Sequence, residues 1–164
     1  QTIVINGVSK AYAMTGWRVG YAVGDPEIIA AMSKLTGQTT SNLTAVSQYA
    51  TIEALTGPQD SVEVMRQAFE ERLNTIYPLL CEVPGFEVVK PQGAFYLFPN
   101  VKKAMEMKGY SDVTAFTTAI LEEVGLALIT GAGFGAPENV RLSYATGLDT
   151  LKEAVNRLKA FMEK

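Results

Sequence analysis

The chain has 164 residues, 48% apolar and 19% charged, with no histidine, a formal charge of −3 and Cys81 as its single cysteine. That composition excludes a Ser-His-Asp relay, a histidine-ligated metal, a CxxC redox pair and an intrachain disulfide. Fourteen basic against 17 acidic residues, no basic cluster beyond Lys102-Lys103, no apolar run near the roughly 20 residues of a membrane span and no secretory leader predict a soluble, cytoplasmic chain with no nucleic-acid, membrane or metal partner.

Thr2-Ile3-Val4-Ile5 reads as a strand with no turn before it, which predicts a chain that starts inside a domain. A Gly/Ser/Thr-rich loop leads to a second strand over 19–23, closed by Gly24. Asp25 as N-cap, Pro26 at the first helical position and Glu27 in the first turn predict a helix with Ile28, Met32 and Leu35 on one stripe. The polar stretch 37–43 is expected to break it. Val46, Tyr49, Ala50 and Leu55 resume a period of about 3.6 residues until Gly57-Pro58 stops it. That pair is the expected boundary between a unit over 1–57 and one over 58–164.

From Val62, the positions Met65, Phe69, Leu73, Ile76 and Leu80 trace one face of a long helix, with Pro78 in its last turns and Cys81 read as a small buried residue at its end. Segments 86–89 and 94–98 alternate as an antiparallel strand pair, and Phe86, Phe95 and Phe98 are assigned to the core. Ser111-Asp112 opens a helix that Gly125 closes, and a strand is expected over 126–130. The glycine loop 131–135 is read as a tight connection, 140–145 as a strand, and Thr150 with Glu153 as a capping box for a last helix. The fold class is α/β passing to α+β, with helices packed on a small, mostly antiparallel sheet. Low charged content against the roughly 25% of an average domain predicts apolar surface covered by a partner or a missing piece.

Three residues carry candidate chemistry. Lys10 stands among apolar and hydroxyl neighbours, with no acidic residue nearer in sequence than Asp25. Such surroundings lower an amine's pKa and free it to attack a carbonyl; the alternative is a solvated loop lysine. Arg18, in the same loop, offers a fork for phosphate or carboxylate oxygens, or else stacks on Trp17 or pairs with a distant carboxylate. Arg141 shares a strand face with Ser143, opposite Val140, Leu142 and Tyr144, which suits either fixed capture of a carboxylate or an edge-strand arginine facing water.

The segment Ser9-Lys10-Ala11-Tyr12-Ala13-Met14-Thr15-Gly16-Trp17-Arg18-Val19-Gly20-Tyr21 resembles the cofactor-lysine signature of fold type I pyridoxal-phosphate aminotransferases of class I/II, closest to the bacterial aspartate aminotransferases. Gly93-Ala94-Phe95-Tyr96 and Val140-Arg141-Leu142-Ser143-Tyr144-Ala145 follow in the family's order and at about its spacing. The likeness covers the whole chain, which resembles the C-terminal two-fifths of such an enzyme.

The resemblance implies that 1–57 completes a large cofactor-binding domain and 58–164 forms most of a small domain. It implies pyridoxal 5′-phosphate as cofactor and, with the missing N-terminal part in place, a homodimer. The implied reaction moves an amino group between an amino acid, aspartate by this likeness, and a 2-oxo acid. Lys10 would form the internal aldimine and shuttle the substrate's α-proton, Arg18 and Ser9 would bind the cofactor phosphate, and Arg141 would hold the substrate's α-carboxylate. Thr40-Ser41-Asn42 resembles the loop that reaches toward the neighbouring subunit's site, and Gly7 stands where the family often has a further phosphate-binding serine.

The acid that keeps the pyridine nitrogen protonated, the ring-oxygen donors and the phosphate-binding helix terminus all lie upstream of this stretch in the family. The chain alone is therefore expected to have negligible transaminase activity, and turnover of an amino donor with 2-oxoglutarate by pure 1–164 would overturn that. A lyase or acyltransferase of the same fold is the alternative that keeps Lys10 and Arg18. A non-catalytic amino-acid-binding or dimerisation domain, with Lys10 idle, is the alternative outside catalysis.

Overall fold

In the computed structural model, which describes residues 2–164, β1 (Val4–Gly7) and β2 (Gly20–Val23) pair antiparallel, Val4 opposite Val23 and Gly7 opposite Gly20. α1 (Pro26–Thr39) starts as its cap residues dictate, the Asp25 carboxylate accepting from the Glu27 amide at 2.9 Å. Gly37 does not break it. One helical glycine costs only about 1 kcal/mol relative to alanine, and the stop comes at Thr40, followed by Ser41 at φ +64°. α2 (Ala45–Thr56) is capped by Thr44 and ends at Gly57.

The chain divides into two compact units, one reaching Met65 and the other Arg66–Lys164, the division falling within α3 (Asp60–Cys81). In the first unit Val8, Met14 and Val19 form a buried apolar cluster, with Tyr12, Tyr21, Ala50 and Ala54 packed against it. Large apolar side chains elsewhere in this unit stay open, Ile5, Val46 and Tyr49 being 77%, 70% and 75% exposed. This unit therefore carries apolar surface that its own residues leave uncovered.

The second unit has a core of its own. Ile76 and Leu80 of α3 meet Val113, Phe116 and Ile120 of α5 (Val113–Val124) and the inner stripe of α6 (Leu148–Glu163), with Phe116 edge-on to Phe161 at 5.7 Å. Each of these fully buried aromatic or aliphatic side chains stabilises the fold by about 1.5–3 kcal/mol. The expected inward residues of the last helix, Leu151, Val155, Leu158 and Met162, are all buried. The helices cover a three-stranded antiparallel sheet of order β3-β5-β4, built from β3 (Tyr96–Leu97), β4 (Ile129–Thr130) and β5 (Val140–Ser143). Helices on small antiparallel sheets are the expected fold class.

Several local expectations fail for identifiable reasons. The 86–89 strand is reduced to one bridge, Glu87 with Asn100, because the chain between them is spent on turns rather than on a ladder. A short helix, α4 (Lys102–Met107), follows Asn100, whose side chain accepts from the Lys102 amide at 3.0 Å. The Thr150–Glu153 capping box does not form. α6 already begins at Leu148 after Gly147, and Glu153 pairs with Arg157 at 2.9 Å instead. Cys81 is exposed, since the inward position of that turn is taken by Leu80. Phe98 also turns outward, 38% exposed, while Phe86 stays buried.

Candidate functional site

The paired ends of β1 and β2 enclose a loop over residues 8–19, and this loop holds Ser9, Lys10 and Arg18. Buried Val8 and Val19 anchor its two ends and buried Met14 its middle, with Tyr12 packed against them, so hydrophobic burial fixes the loop while Lys10 and Arg18 stay exposed. Consecutive turns shape it: the amides of Tyr12, Ala13 and Trp17 donate to the carbonyls of Val8, Lys10 and Met14 at 3.4, 3.2 and 3.2 Å. The Tyr12 hydroxyl reaches Gln59 Oε1 at 3.0 Å, tying the loop to the residues after α2. Lys10 is exposed and Ser9 half-buried.

Arg18 follows a 3₁₀ turn, Thr15–Trp17, and sits at φ +56° with one guanidinium N–H donated to the Thr15 carbonyl at 3.0 Å. A left-handed conformation costs a non-glycine residue about 1–2 kcal/mol. The four non-glycine residues with positive φ among those described are Ala13, Arg18, Ser41 and Ala94. Each lies in a stretch singled out from sequence: the lysine loop, the Thr40-Ser41-Asn42 loop and the Gly93-Ala94 turn. Such strain concentrates where a fold fixes functional groups.

Gly7 has a local explanation. A Cβ there would lie 2.9 Å from the Val19 carbonyl oxygen, because Gly7 and Gly20 cross face to face at the root of the loop. A serine at this position therefore requires the Val19 backbone to shift.

Arg141 belongs to the second unit. It lies on β5, the central strand of its sheet, so the edge-strand alternative is removed. Val140 and Leu142 are buried while Arg141 is half-buried on the opposite face. Its guanidinium carbon stands 4.5 Å from the Tyr96 ring centre and 4.7 Å from that of Phe134. The neighbouring turn is held by Tyr144, whose amide donates to the Phe95 carbonyl at 2.9 Å and whose hydroxyl donates to that of Ala94 at 3.0 Å. Burial pushes the Tyr144 phenol above its ordinary pKa, keeping it a neutral donor. Among the described residues no group of His, Cys, Asp and Glu is placed to hold a metal ion, and no helix is long and apolar enough to cross a membrane.

The loop thus presents a primary amine, a hydroxyl and a guanidinium, and the sheet a second guanidinium. The family model described as aminotransferase class I and II matches residues 1–158. The chain belongs to that family. Among curated aminotransferases it is 82% identical over all 164 residues to the asparagine–oxo-acid transaminase of Streptococcus mutans, and 58% identical to the aspartate aminotransferase of Bacillus subtilis. It spans 42% of the length of each of these relatives. The crystal structure of the aspartate aminotransferase from Rhizobium meliloti matches 99% of the chain with a TM-score of 0.90 at 37% identity, the chain covering 42% of that protein.

Sequence reasoning missed Tyr96 and Phe134 as neighbours of Arg141. A signal was present: an aromatic residue between Gly133 and Gly135 in an otherwise small-residue loop has little local core to fill.

Proposed function

We propose that this chain is the C-terminal part of a pyridoxal-phosphate aminotransferase that transfers the amino group of aspartate or its amide to a 2-oxo acid. The reading is carried by one observation: Ser9, Lys10 and Arg18 share a single loop pinned at both ends by buried valines. Its support for the donor class is family membership and the names of the relatives that match the chain at 82% and 58% identity. Residues 1–57 would complete the large cofactor domain and 58–164 most of the small one, with the whole enzyme a cytoplasmic homodimer. The open apolar side chains of the first unit suit such covering by upstream chain and partner.

The donor set fits the cofactor chemically, an amine for its aldehyde and N–H and O–H donors for its phosphate. When bound, pyridoxal 5′-phosphate supplies an electron-withdrawing ring that stabilises negative charge at the substrate's α-carbon. Lys10 Nζ would be the amine that holds the aldehyde end of the group, and the same amine would carry the proton of the substrate's α-carbon. Arg18 and Ser9 would hold the phosphate, four of the five Arg18 N–H donors remaining for it beside the one given to Thr15. Arg141 grips the α-carboxylate with paired hydrogen bonds, which orients the amino group.

Borohydride reduction of the full-length enzyme loaded with the cofactor, followed by peptide mass mapping across the nine lysines of this stretch and every lysine upstream of it, is expected to place the label on Lys10 alone. Label spread over other lysines would refute the assignment. Arg18→Ala should weaken cofactor binding, read by equilibrium dialysis, by about 10- to 100-fold, the worth of a charged hydrogen-bonding group.

A further inference from the structure

We infer that Tyr96 and Phe134 are positioning residues for Arg141, two aromatic rings that hold its guanidinium in the orientation that captures a carboxylate. The inference rests on the reading of Arg141 as the carboxylate-binding arginine. Both rings lie within 5 Å of the guanidinium carbon, inside the range in which a cation is attracted to an aromatic face. The register explains Tyr96. It pairs directly with Ser143 across β3 and β5, so it shares the sheet face of Ser143 and Arg141 and is the diagonal neighbour of the arginine.

Phe134 comes from a different element, the 3₁₀ turn Gly131–Phe134, which the Gly131 amide anchors on the Asn139 carbonyl at 2.7 Å. Its ring meets Phe98 edge-on at 6.2 Å, and Phe98 lies two residues beyond Tyr96 along the chain. Phe134 is 54% exposed. A phenylalanine left that open contributes little to the core, and the arginine gives its position a reason.

Among the described residues no carboxylate, carbonyl or hydroxyl is hydrogen-bonded to the Arg141 guanidinium. Contrast Arg157, whose fork is spent on Glu153 and on the carbonyls of Val124 and Gly125. Ring contacts consume none of the in-plane N–H donors. They restrict a long side chain with many rotamers while leaving its fork available for two parallel bonds to a carboxylate. A polar partner would fix Arg141 equally well but would occupy donors that the ligand needs.

Loss of a ring therefore weakens carboxylate binding for donor and acceptor alike and leaves the chemical step intact. Phe134→Leu and Tyr96→Leu in the full-length enzyme are each expected to raise KM for both substrates about 3- to 30-fold, with kcat within about twofold. Phe134→Trp is expected to restore KM. Isothermal titration of succinate into the cofactor-free enzyme reads the same contact without turnover, and there Arg141→Ala is the reference.

Loss of succinate binding in Arg141→Ala, partial loss in the two leucine variants and recovery in Phe134→Trp would bear the inference out. Loss in Arg141→Ala with unchanged affinity in both leucine variants would overturn the positioning role and leave the reading of Arg141 standing. Unchanged affinity in Arg141→Ala would overturn both. Because Phe134 is largely exposed, its variants are expected to fold. A fall in kcat at unchanged KM would assign the rings a structural role and refute the inference.

Discussion

Lys10→Ala in the full-length enzyme is expected to lower kcat by about 10⁴-fold or more while leaving the fold intact. A positioned acid–base group alone is worth about 10² to 10⁴, and this substitution also removes the amine that engages the cofactor. Lys10→Arg is not expected to rescue activity, since a guanidinium remains charged at every accessible pH and is no nucleophile. Stability should change little. The Lys10 side chain is exposed, and its turn is held by a backbone bond from the Ala13 amide that alanine retains. Lys34→Ala on exposed α1 is the control expected to leave kcat unchanged. Full activity in Lys10→Ala, with wild-type thermal melting, would refute the catalytic assignment and favour the non-catalytic domain.

The loop that carries Lys10 was legible because its information is local. Glycines stand where two strands cross, and the signature between Val8 and Val19 is contiguous in the chain. Helices with stop signals were legible for the same reason. Asp112 accepts from the Ala115 amide at 2.7 Å at the start of α5, and Gly125 closes that helix at φ +65°. Two of the failures, the missing 86–89 strand and the surroundings of Arg141, depend on distant parts of the chain. The 86–89 strand has the alternating pattern, yet pairing is decided by Asn100, whose own side chain also starts α4. The Tyr96–Arg141–Phe134 contact joins residues 45 and 7 positions from the arginine, and periodicity within one strand says nothing about which loop folds over it. Tertiary contact, not propensity, set those features.

Gly131→Ala is expected to be among the most damaging single changes in the second unit, costing about 3 kcal/mol or more in equilibrium unfolding of the full-length enzyme. A Cβ at this position would lie 2.5 Å from the Asn139 carbonyl oxygen and closer still to that of Ala136. Both obstacles are backbone and neither can rotate away. The Gly131 amide also donates to that same Asn139 carbonyl at 2.7 Å, so relieving the clash breaks the bond that anchors the turn. Two other glycines of the turn supply internal standards. Gly133 has open space around its Cβ direction and no positive φ, so Gly133→Ala should change stability by no more than about 0.5 kcal/mol. Gly135 has equal space but sits at φ +74°, so Gly135→Ala should cost about 1–2 kcal/mol from conformation alone. The order Gly131 above Gly135 above Gly133 separates steric crowding from backbone strain, and equal costs at all three would refute it. The turn that cannot accept a side chain at Gly131 is also the one that presents Phe134 to Arg141. Gly131→Ala should therefore weaken succinate binding as well as stability, whereas Gly133→Ala should leave both unchanged.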